Sequence, residues 1–104
     1  MPDRVIVEVD EDLSDLIPGF LTHKRADVMS IFEAVARRDY AAISRIAHRI
    51  KGEGASYGFD SMTEMGRSLE HAAATRDDGA VTTLARQLLD YLDRIEIVFH
   101  PSKD

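Results

Sequence analysis

Four stretches of this chain repeat apolar residues at spacings of three and four, with short polar breaks between them. A helix turns about 100° per residue, so this spacing collects the apolar side chains on one face. The first stripe carries Ile17, Phe20, Leu21, Val28, Ile31, Phe32 and Val35, and the second Ile43, Ile46, Ala47, Ile50, Gly54 and Tyr57. Met62, Met65, Leu69, Ala72 and Ala73 form the third, and Val81, Leu84, Ala85, Leu88, Leu92, Ile95 and Phe99 the fourth. The breaks are too short to do more than reverse the chain, which makes successive helices antiparallel neighbours. The expected fold is all-α, an antiparallel up-and-down four-helix bundle over about residues 12–99 of a single domain, 1–104.

Several residues suggest boundaries. Val5, Val7 and Val9 alternate with Ile6, Glu8 and Asp10, so residues 1–11 read as an extended or short-helical arm lying on the bundle, with pairing between two chains as the alternative. Asp12 and Asp15 can cap the first helix, with Pro18 either in its opening turns or separating a short leading turn. Lys24 falls in the first stripe, where its stem can pack while its ammonium reaches water. Gly58 suits a C-terminal stop, Asp60 or Ser61 with Glu64 a cap for the third helix, and Pro101 the end of the fourth.

With 13 basic and 19 acidic residues the chain lacks the cationic surface that grips nucleic acid. It has no cysteine, which points to a reducing compartment, and no apolar run near the length of about 20 that spans a bilayer. A cytoplasmic, monomeric protein without nucleic-acid or membrane partners is expected. It reads as a stand-alone domain, although a piece excised from a larger protein would read the same way.

The second helix departs from plain scaffold. With Ile43, Ile46, Ala47, Ile50 and Gly54 buried, His48 points outward, and its helical neighbours are Ala41, Ser44, Arg45, Lys51, Gly52 and Ala55. Most of these are small, which leaves room for another macromolecule to approach the imidazole. Glycine in a helix interior costs about 1 kcal/mol relative to alanine, so Gly52 and Gly54 need reasons. Gly54 lies on the apolar stripe and suits a close approach between helices; Gly52 lies beside His48 and suits clearance for a docking partner or a phosphoryl group. Imidazole is a nucleophile near neutral pH, and a lysine one turn away supplies charge to arriving phosphoryl oxygens. No nucleotide-binding loop or magnesium-holding acidic cluster is visible, so the phosphoryl group and the metal must come from a partner.

The stretch Ala47-His48-Arg49-Ile50-Lys51-Gly52-Glu53-Gly54-Ala55-Ser56-Tyr57-Gly58 resembles the signature of the histidine phosphotransfer (HPt) family: His-x-apolar-Lys-Gly, two usually small residues, then an apolar residue and Gly. The resemblance implies a four-helix bundle with His48 as phosphoryl acceptor, Lys51 as the phosphate-stabilising neighbour and Gly52 as the clearance position. It implies response-regulator receiver domains and sensor histidine kinases, hybrid kinases included, as partners, and a phosphocarrier that is not itself an enzyme. Ala41, Ser44, Arg45 and Ala55 are candidate partner contacts, and no metal or cofactor is expected. Glu53 stands where a small residue is usual; it is expected to turn to the flank, pair with Arg49 and alter partner choice without loss of activity.

Two other functions are compatible with these residues: a helical adaptor that binds a receiver without chemistry, and a metal-binding bundle suggested by four histidines. His23, His71 and His100 have no Lys-Gly neighbour and read as solvated or partly packed, and metal-binding His pairs are absent. Met62 and Met65 read as core filling, and Asp77 and Asp78 as turn and cap residues.

Overall fold

Periodicity placed all four helices and misjudged the end of the fourth. In the computed structural model, which describes residues 3–102, β1 (Val5–Asp10) and a 3-10 turn (Glu11–Leu13) lead into α1 (Ile17–Ala36) and α2 (Tyr40–Tyr57). Then follow α3 (Asp60–Ala74), α4 (Asp78–Arg94) and β2 (Ile95–His100). Residues 1–2 of the expected arm and 103–104 of the expected domain lie outside the described residues.

The four helices form the expected bundle, with α1 and α3 each packed on both α2 and α4. Antiparallel order shows in the cross-helix pairs: Gly54 faces Thr63 and His48 meets Glu70 between α2 and α3, and Glu53 meets Lys24 and Arg49 meets Asp27 between α2 and α1. The predicted stripes form the core, where Val28, Ile31, Ile43, Ala47, Ile50, Met62, Leu69, Val81, Ala85 and Leu88 are all buried. Met62 thus fills the core as expected, with Met65 half-buried beside it.

The fourth helix ends earlier than the stripe implied. Ile95 and Phe99 are not helical; Ile95–His100 is a strand that pairs parallel with β1, Val5 opposite Ile95 and Asp10 opposite His100. The run Ile-Glu-Ile-Val-Phe is β-branched and aromatic, which favours extended backbone once a partner strand exists. The arm is extended and lies on the bundle through buried Val7 and Val9, but its hydrogen-bonding partner is the chain's own C-terminal segment.

The N-terminal caps expected for α1 and α3 are not used. Asp10 caps the 3-10 turn through the Asp12 amide, and α1 begins without a side-chain cap, Pro18 lying in its first turn. Neither Asp60 nor Ser61 caps α3: Phe59, fully buried, holds the N-cap position, and Glu64 pairs with Arg67. Burying the Phe59 ring against Phe20 fixes the chain path there more strongly than one exposed cap bond. Gly58 ends α2 with φ 85°, a left-handed conformation that glycine adopts without a steric penalty. Asp77 caps α4 through the Ala80 amide at 3.0 Å, and Asp78 accepts the Tyr40 hydroxyl.

Lys24 is the main surprise in the core. Its ammonium does not reach water: the residue is 1% exposed, and it binds Asp27 Oδ2 at 2.6 Å and the Glu53 carboxylate. Burial of an ammonium is tolerable only when paired, and α1 and α2 each supply a carboxylate.

Candidate functional site

Two glycines bring α2 and α3 unusually close. A Cβ on Gly54 would lie 2.8 Å from Thr63 Oγ1 and 3.0 Å from its backbone nitrogen, and a Cβ on Gly66 would lie 2.7 Å from the Lys51 nitrogen and 3.0 Å from the Ala47 carbonyl oxygen. The approach expected at Gly54 is therefore present, and Gly66, which the sequence reading passed over, matches it from the opposite helix. One turn beyond Gly66, the side chain of Glu70 reaches across to α2.

There Glu70 meets both residues of interest. Its Oε2 lies 3.1 Å from Nδ1 of His48, and its Oε1 lies 2.6 Å from Nζ of Lys51. The His48 side chain is 72% exposed, and that of Glu70 only 25%. The Lys51 ammonium holds the Glu70 carboxyl below the usual carboxylate range, and the His48 hydrogen bond adds to this against the effect of burial. Glu70 is therefore ionised at neutral pH and can only accept hydrogen bonds. The proton of a neutral His48 then sits on Nδ1, which donates to Glu70, and the lone pair is left on the outward Nε2. That is the state in which an imidazole acts as a nucleophile.

The surroundings of His48 are open. Ala41, Ser44 and Arg45 line a shallow hollow with His48 and Glu70. A Cβ placed on Gly52 meets no atom within 4 Å, so this position lacks a packing role and leaves the helix face bare. Ala55 is exposed further along α2. Lys51 and Gly52 are thus on the same side as the imidazole, as their spacing requires.

Glu53 turns to the flank, as expected, but its principal partner is the buried Lys24; Arg49 Nε lies 3.9 Å from it and binds Asp27 at 2.7 Å instead. His23 and His71 are exposed on α1 and α3 and His100 is half-buried on β2, and none of them lines the hollow beside His48. Among the described residues, no group of three or more His, Cys, Asp or Glu side chains is placed to hold a metal ion. No helix among them is long and apolar enough to cross a membrane.

Fold and site together define a helical module that shows the His48 imidazole to its surroundings, with an anchored carboxylate behind it and an ammonium beside it. The family model for the Hpt domain matches residues 4–97, and the chain belongs to that family, the histidine phosphotransfer modules of two-component systems, which are phosphocarriers and not classical enzymes. No curated protein and no solved structure gives a match.

Proposed function

We propose that this chain is a single phosphorelay domain in the cytoplasm, in which His48 takes a phosphoryl group from the aspartyl phosphate of one receiver domain, or from a sensor kinase, and yields it to another receiver. The observation that carries this reading is the exposed His48 ring with its Nδ1 3.1 Å from the Glu70 carboxylate, beside Lys51 and the bare backbone of Gly52. Nε2 attacks the phosphorus, the N–P bond forms, the receiver's O–P bond breaks, and the aspartate leaves as a carboxylate. The imidazole becomes cationic as it bonds to phosphorus, and Glu70 compensates that charge at Nδ1. Lys51 is close enough to exchange its contact with Glu70 for the arriving phosphoryl oxygens. The receiver supplies the magnesium ion and the remaining transition-state stabilisation.

The test is incubation of the purified chain with a labelled, phosphorylated response regulator and magnesium. Acid-labile label on the chain is expected, and binding without any label would turn the reading toward an adaptor. Two variants probe the geometry. Gly52→Gln should slow transfer at least about tenfold while leaving the helix intact and raising stability by up to about 1 kcal/mol, because glycine is a poor helix former and its Cβ space is empty. Transfer at the parental rate would remove the clearance argument. Glu70→Ala should also slow transfer, by about tenfold, since it frees the ring to adopt either tautomer. Nitrogen NMR of the ring reads the tautomer directly, and an unchanged Nδ1–H population would show that Glu70 does not set it.

A further inference from the structure

The two strands are covered unequally. In a parallel pair, residues at the same register share a face, so Val5, Val7, Val9, Ile95, Ile97 and Phe99 all point to the bundle side. On β1, Val7 is 8% and Val9 1% exposed; on β2, Ile97 is only half-buried and Phe99 is 44% exposed. The bundle therefore sits beneath β1, and β2 overhangs it. The outer edge of β1 runs beside the α2–α3 turn, its Glu8 carbonyl 3.9 Å from where a Gly58 Cβ would lie. Among the described residues, the Ile95 amide closes α4 on the Tyr91 carbonyl, and beyond it no backbone hydrogen bond leaves the other edge of β2. A two-stranded sheet with an open, apolar edge is marginal by itself and a template for a further strand.

We propose that β2 is the seam of a homodimer in which two copies pair antiparallel about Val98, giving a four-stranded sheet with β1 at each margin. The sequence of β2 is self-complementary in that register. On the outer face Val98 meets the partner's Val98, and Glu96 lies opposite the partner's His100. On the bundle face Ile97 lies opposite the partner's Phe99, so the exposed aromatic ring gains an apolar neighbour. Centring the pair on Ile97 or Phe99 loses the Glu96–His100 match, and centring it between two residues turns one bundle to the opposite face. The arrangement is isologous and closes at two copies. It departs from the monomer expected from the sequence and does not depend on phosphotransfer by His48.

The chain has no cysteine, so Val98→Cys provides a direct test. Residues opposite each other in an antiparallel pair have Cα atoms about 4.5–5.5 Å apart, within disulfide range. Mild oxidation should link Val98→Cys protein into dimers at least about tenfold faster than Ile6→Cys protein, whose residue is 63% exposed on β1. Analytical ultracentrifugation of the unmodified chain should show a monomer–dimer equilibrium, weakened about tenfold or more by Phe99→Lys and by Glu96→Lys with helix content unchanged. A chain that stays monomeric at millimolar concentration overturns the proposal, as does Val98→Cys linking no faster than Ile6→Cys. Should Phe99→Lys unfold, the cysteine comparison still decides.

Discussion

Replacing His48 by glutamine is expected to abolish phosphoryl uptake from a phosphorylated receiver while the fold is unaffected. The amide of glutamine can hydrogen-bond to Glu70 but has no nucleophilic lone pair on nitrogen, so no N–P bond can form. Because the His48 side chain is 72% exposed and packs in no core, the change in unfolding free energy should stay within about 0.5 kcal/mol. The Lys51–Glu70 ion pair at 2.6 Å does not involve the imidazole and should persist. The measurement is label retained under neutral conditions and lost in acid, for parent and variant side by side, with urea unfolding as the control. Equal labelling would move the acceptor to another residue and end the assignment of His48.

The largest stability effect is expected at Lys24. Lys24→Ala removes a buried stem and leaves Asp27 and Glu53 without the cation between them. Breaking a buried ion pair from one side costs about 3–5 kcal/mol, and a vacated volume adds to that. Two features reduce the total: Arg49 still holds Asp27 at 2.7 Å, and Glu53, 39% exposed, can swing to water. A net loss of about 3 kcal/mol is expected, a large part of the stability of about 5–15 kcal/mol typical of a domain. Lys24→Met should cost less, since it refills the space, and adding Glu53→Ser to it should recover part of the loss. Urea denaturation of the three variants checks this order. A Lys24→Ala chain as stable as the parent would mean the pair is energetically idle.

The residues that could be read from sequence are those whose signal is local. Stripe spacing found four helices because each is long enough to repeat its pattern, and the turn of α2 alone placed His48, Lys51 and Gly52 on one side. Gly58 was legible for the same reason. Glu70 was not, because on α3 it is an ordinary polar position; only the approach allowed by Gly54 and Gly66 carries it to His48. The one available hint was Gly66, a costly helix residue one turn before an acidic side chain. Lys24 was misread because an apolar-stripe lysine usually sends its ammonium to water, and its two carboxylates come from separate helices. β2 was misread because Ile95 and Phe99, four apart, fit a helical stripe as well as a strand, and the competing partner lies at the other end of the chain.

That distant partnership has a consequence for how the molecule assembles. Val5 can meet Ile95 only after the intervening helices have brought the two ends of α1 and α4 together, so strand pairing bears the loop-closure entropy of nearly the whole chain unless the bundle has already formed. The strands therefore close late in folding and open first on unfolding. Native-state hydrogen exchange would place their amides in a less protected unit than the helices they join.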